Sequence, residues 1–376
     1  MLGLAWKNNL LRPGRTILIV LSVAAVLAEI LILEGFLAGS YTQLRQAVLR
    51  RGGDVIVAQS GVTNFLSTRS ILPQQTRAAV EAIPDVVGTH PLAAIGVIYE
   101  DGERRSPIIV MVYDDKGGPT DIMSGIPPTE DRSIAVDYAL ARKFGLNPGD
   151  RLTLSDYDFA ISGITRNESA LFTPFAFMSF DTLIDFYFES DVASDIAAFP
   201  LLNFLAVDVA PGSDPAKIAA HITEEVDDAH AMLPGHLALN DEDMGRELLG
   251  PILNLLLGLS YGIGALAIGM FTFAAVRSRR KSLGVLRALG FTARNIVTGV
   301  VAEAVATAVA AIPIGILIAI GLAALIEWIS PVYLVQVLEP RALVQTAAVA
   351  VILAFFGALA PLRMLMRLDP ATAFRE

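Results

Sequence analysis

Long apolar runs dominate the pattern of hydrophobic and polar positions. Four stretches, at about Thr16–Phe36, Ile252–Val276, Ile296–Ile326 and Ala342–Leu362, are long enough to cross about 30 Å of hydrocarbon as helices. Pro313 inside the third predicts a kink or tilt there. Between the first and second, Leu37–Gly250 changes to short elements separated by turn residues. Strands are expected at Asp54–Ala58, Val86–Thr89, Phe204–Val209 and Leu237–Leu239, and helices at Pro73–Ile83 and Ala216–Val226. Ile95–Tyr99 and Ile108–Tyr113 read as a hairpin around Asp101-Gly102. The two strand–helix–strand units near the ends of the block are expected to pair into one α+β subdomain. The middle, about 125–200, reads as an insertion. It contains a helix at Asp137–Phe144, a turn at Asn147–Asp150 and strands at Arg151–Ser155 and Phe159–Ile164.

The expected fold class is a multi-pass α-helical membrane protein with four transmembrane helices and a large α+β extracytoplasmic domain between helices 1 and 2. The parts are 1–36 (amphipathic N-terminal helix and first span), 37–250 (external domain), 251–276 (second span) and 277–295 (a cytoplasmic helix). They continue with 296–326 (third span), 327–341 (short external loop), 342–362 (fourth span) and 363–376 (cytoplasmic tail). Composition agrees: 54% hydrophobic residues and a mean hydropathy of +0.57 are too apolar for a soluble chain, and 18% charge is too much for one lying wholly in lipid.

Charge sets orientation. Lys7, Arg12 and Arg15 precede the first span. Arg277, Arg279, Arg280, Lys281, Arg287 and Arg294 separate the second and third with no acid among them, and Arg363, Arg367 and Arg375 follow the fourth. The positive-inside rule therefore places both termini and the loop around Arg287 in the cytoplasm, in a bacterial cytoplasmic (inner) membrane. A cleaved signal peptide is the competing reading of the N-terminus, but its apolar core is usually shorter and no Ala-x-Ala site follows. The external block holds 15 basic and 31 acidic residues, which argues against nucleic acid as a partner.

No enzymatic motif stands in the context its chemistry requires. No cysteine is present, so no disulfide, thiolate zinc site or cysteine nucleophile is available. No Gly-Lys pair exists to build an ATP-binding loop and no His-Glu-x-x-His occurs, while the Gly-x-Ser-x-Gly string at Gly258–Gly262 lies inside an apolar span rather than at the strand-to-helix turn a serine nucleophile needs. No cofactor and no metal are expected. His230 and His236, near Asp227, Asp228 and Asp241–Asp243, read as a solvated acidic surface before a metal site.

Three features remain as candidate sites. Glu29, Glu34 and Glu303 lie in or near spans, where carboxylates are costly. Their readings are a structural or partner-facing role or a proton relay. Gly258 and Gly262 form a Gly-x-x-x-Gly step that suits helix packing, within the chain or across a dimer. Arg279, Arg280, Lys281, Leu283, Gly284, Val285, Leu286, Arg287, Ala288, Leu289 and Gly290 form a short amphipathic helix with a basic side. That helix suits either anionic lipid headgroups or a soluble partner.

At this segment the chain resembles the FtsX-like permeases of ATP-binding-cassette systems, the group with MacB, the LolC/LolE pair and DevC. That family carries an Arg-rich run and then Glu-Ile-Gly-Ile-Leu-Arg-Ala-Leu-Gly-Ala. The matching run is Ser282–Phe291, with Ser282 in the acidic place. Similar motifs are Lys7–Leu10 with Arg15-Thr16, Ala141–Asp150, Phe159–Ile164, Glu303 early in the third span, and Leu368–Arg375. The resemblance implies a non-catalytic permease subunit. Its partners would be an ATPase that binds ATP and magnesium, a second permease copy or paralogue, and an external adaptor or fusion protein. The helix around Leu283–Leu289 would dock on the ATPase and transmit its motion to the external domain (mechanotransmission), exporting or extracting a lipid, lipoprotein or other amphiphile. The alternative, as in FtsX itself, is a signalling subunit that activates an external cell-wall hydrolase.

Overall fold

The computed structural model describes residues 13–66, 70–190, 202–278 and 280–359. The expected pre-membrane helix, Arg279, the tail after the fourth span and the C-terminal motif lie outside the described residues. Two compact units divide the chain: 1–38, 250–329 and 335–376 form one, and 39–249 with 330–334 form the other.

The first unit holds the apolar helices. Four helices are long and apolar enough to cross a membrane: α1 (Pro13–Leu49), α6 (Pro234–Ser278), α8 (Ala293–Ile329) and α9 (Pro340–Leu359). A nine-residue helix, α7 (Arg280–Ala288), lies between α6 and α8 in sequence. Small residues bring the helices close. Val23, Ala24 and Leu27 of α1 pack with Ile268 of α6, Ala308 and Ala311 of α8, and Ala350 and Ala354 of α9. α8 runs through Pro313; lipid-buried helices tolerate such a proline because neighbours re-satisfy the freed carbonyl.

The second unit is α+β. Its elements are β1 (Val55–Gln59), α2 (Gln74–Glu81), β2 (Val86–Asp101), β3 (Arg104–Tyr113), β4 (Ile122–Gly125), β5 (Ser133–Asp137), α3 (Tyr138–Phe144), β6 (Arg151–Leu154) and β7 (Tyr157–Thr165). They continue with β8 (Ser169–Ala170), β9 (Thr173–Ser179), α4 (Phe180–Glu189), β10 (Phe204–Val209), α5 (Pro215–Glu225) and β11 (Ala229–Met232). One sheet runs in the order β11-β1-β10-β2-β3-β9-β5-β7-β4, with β6 on β7 and β8 on β9.

The outer half is β1-α2-β2 and β10-α5-β11, interleaved antiparallel as β11-β1-β10-β2. This is the split βαβ arrangement. Ile218 and Ile222 of α5 and Val80 of α2 close its core against Val55, Val57, Leu205 and Val207. The middle half packs α3 and α4 over β5, β6 and β7, with Phe159, Ile134, Leu140 and Leu152 buried. Local signals fix its helices. Asp137 caps α3 by accepting from Ala139 N, and Gly145 ends it with φ 76°; Asp214 and Pro215 start α5.

The structure corrects one element. Leu237–Leu239 is not a strand but lies within the first two turns of α6. Leu237 and Ala238 are buried while Leu239 is 48% exposed. That is a helical pattern, which a three-residue apolar run is too short to declare.

Candidate functional site

The segment after α6 is a tight helix–turn–helix. α7 ends at Ala288, and Gly290 just beyond it has a left-handed φ of 93°. Phe291 N donates to Leu286 O at 3.1 Å, satisfying an orphan carbonyl of α7. Thr292 then starts α8: its Oγ1 accepts from Asn295 N and its carbonyl from Ile296 N. Leu283 and Phe291 pack on Val276, Ile296 and Val300, the facing ends of α6 and α8. α7 is thus held by its own apolar clasp.

The structure sorts the predicted residues. Leu283 faces the bundle, Gly284 is buried and Leu286 is half-buried. Val285 is 43% exposed and Leu289 72% exposed, with Ala288 and Gly290 also exposed. Val285 and Leu289, one turn apart, therefore form a bare apolar ridge. The three-residue spacing of Leu283, Leu286 and Leu289 suggests a single face, whereas Leu283 is turned inward.

The carboxylates sit among hydroxyls. Ser260 Oγ donates to Glu29 Oε1 at 2.9 Å. Tyr261 OH donates to Glu34 Oε1 at 2.8 Å, and Thr346 Oγ1 to Glu34 Oε2 at 3.2 Å. Two acids of α1 thereby meet adjacent residues of α6, and Glu34 also engages α9. Sequence reasoning missed these partners, although hydroxyls at 260–261 within an apolar run were the available signal. Glu303 lines a cavity of about 640 Å³, open mouth included, together with Ile19, Val23, Phe271, Thr272 and Leu283. A Cβ added at Gly258 or Gly262 would meet nothing within 4 Å. Within this chain, close helix contact occurs instead at Gly264, beside Val26 and Leu353, and at Gly357, beside Gly269. Among the described residues no group of three or more His, Cys, Asp or Glu is placed to hold a metal ion.

A profile of the MacB-like periplasmic core domain matches residues 16–225, and one of the FtsX-like permease C-terminal region matches residues 254–370. The chain belongs to the MacB/FtsX-type family of ABC transporter permeases. Similar relatives include the uncharacterized ABC transporter permease Rv2563 of Mycobacterium tuberculosis, 24% identical over all of this chain and 99% of that protein. Rv0072 of the same organism is 22% identical with the same coverage. The crystal structure of the periplasmic region of MacB from Actinobacillus actinomycetemcomitans aligns at 11% identity and a TM-score of 0.36, over 52% of this chain and 95% of that one. As a MacB/FtsX-type permease, the chain is a subunit of the cytoplasmic (inner) membrane whose class works with an ABC ATPase.

Proposed function

We propose that α7 is the docking helix for that ATPase and that ATP-driven closure moves the external domain. The loop 277–295 and both termini lie in the cytoplasm, two permeases (identical or paired) share two ATPases, and the work falls on a lipid, lipoprotein or other amphiphile outside. One observation carries the reading: Val285 and Leu289 present apolar surface that this chain leaves uncovered, on a helix whose other side is clasped to the bundle. A clasped helix passes on a push without deforming, because packed interiors are stiff. A helix lying on headgroups would serve equally with its apolar side in lipid, so the test separates the two. Co-purification of the ATPase is expected to fall at least tenfold on Leu289→Asp or Val285→Asp, with membrane insertion unchanged. ATPase capture undiminished by both substitutions would overturn the docking role.

A further inference from the structure

One short hairpin of the external unit is held from two directions. β8 and β9 pair through Ser169–Pro174 and Ala170–Thr173, so Leu171 and Phe172 alone make the turn. Their φ values are 48° and 62°. A two-residue turn with both φ positive is normally an Asn-Gly or Asp-Gly dipeptide, and bulky side chains there are strained. The strained turn presents Phe172 edge-on to Tyr333, ring centroids 5.5 Å apart. Tyr333 lies in the loop between α8 and α9.

The other hold comes from the end of α1. Arg51, fully buried two residues past the helix, pairs with Glu168 at 2.8 Å and donates to Gly117 O at 2.6 Å. Its guanidinium also lies over the Phe177 ring of β9. Arg50 donates to Asn167 O at 2.8 Å. Residues 167 and 168 lead directly into β8. Glu168 is fixed in turn by Thr120 N and Oγ1, and its own N–H donates to Asp137. β9 pairs with β3 on one side and β5 on the other. It is the seam where the outer half of the sheet meets the middle half.

We propose that the β8–β9 hairpin is the input element of the external domain, with Arg51 and Phe172 as positioning residues. Movement of α1 enters through Arg50 and Arg51, movement of the α8–α9 loop enters through Tyr333, and both act on the strand that joins the halves. The strained turn keeps an aromatic ring on the loop where an ideal turn would place none. This rests on the reading that a docked ATPase drives the chain.

The test uses the absence of native cysteine. Spin labels on Arg151→Cys of β6 and Glu224→Cys of α5 report the distance between the halves. The full chain is measured in nanodiscs with its ATPase, with unlabelled chain in excess, before and after ATP and vanadate. The unaltered background is expected to shift its distance distribution. The double variant Leu171→Asn/Phe172→Gly installs a relaxed turn. It is expected to unfold at higher denaturant yet lose most of the shift, a combination that a merely structural turn would not produce. Arg51→Lys, which keeps the charge but loses the fork, is expected to lose most of the shift while still capturing the ATPase. A full shift in both variants, or no shift in the parent, overturns the hairpin's role. Failure of the parent to capture any ATPase overturns the docking reading and takes the hairpin's role with it.

Discussion

A single atom decides how closely the loop after α8 can approach α1. A Cβ on Gly39 would lie 1.8 Å from the carbonyl oxygen of Leu334, and four residues on, Gln43 Nε2 donates to Val332 O at 3.0 Å. Gly39→Ala must therefore displace backbone, at an expected cost of about 1–3 kcal/mol. Faster proteolysis of the 330–334 loop in membranes measures it, and unchanged cleavage would refute the contact. Glu34 makes a second residue-scale case. With Tyr261→Phe and Thr346→Val together, its carboxylate loses both hydroxyl donors shown for it. The expected loss is about 1–3 kcal/mol per unsatisfied oxygen, read as a lower midpoint of unfolding in detergent. An unaltered midpoint would make those bonds incidental.

At the scale of elements, the sequence was most readable where a period ran long or a turn dipeptide was strong. The hairpin expected around Asp101-Gly102 is the β2–β3 pair, with Tyr99 opposite Ser106 and Ile98 opposite Pro107. The helix boundaries were less legible. The apolar run of the first span ends at Phe36, but α1 continues to Leu49 because Ala47 and Val48 bury against Ile56 and Met232 in the external core. Tertiary burial extends that helix, and a hydropathy pattern does not register it. The ridge on α7 was legible only in part. Amphipathic spacing marks the helix, but only the clasp between Leu283, Phe291 and Val276 tells which leucines remain bare. Nothing in the pattern announces Arg51 and Glu168, 117 residues apart, as a buried pair. Gly290 closes α7 with a left-handed φ. Gly290→Val is expected to cost about 1–2 kcal/mol and to loosen the ridge. Faster hydrogen exchange across 283–290 would be the sign, and unchanged protection would contradict it.

At the scale of the external unit, titration sets a pH profile. Burial raises the Asp137 carboxyl to about 7, and bonds from Ala139 N, Glu168 N and Ser169 Oγ oppose the shift without cancelling it. An unfolded aspartate titrates near about 3.9. Between those values the native state keeps a proton that the unfolded chain has released, so stability falls as pH rises through that window. Asp208 acts in the opposite direction. Burial pushes its carboxyl up, but Lys116 at 2.5 Å and His90 at 3.0 Å outweigh it and hold it below the usual range. Its contribution is present above the unfolded value and is lost as pH falls through the folded one. The unit is therefore expected to be most resistant where these two titrations meet, at about pH 4. Hydrogen exchange at β5 and β9 in the full chain checks this, and protection that rises steadily from pH 5 to 8 would contradict it.

The loop 330–334 belongs to the same compact unit as residues 39–249, which bears on biogenesis. A ribosome emits every strand of that unit before it has begun the third and fourth crossings. Tyr333 and Leu334, which complete the packing beside Phe172 and Gly39, arrive only after α8 has been threaded. Maturation of the outer module thus waits on insertion of a later membrane helix, and a chain stalled before that crossing would export a domain with one face left unsealed.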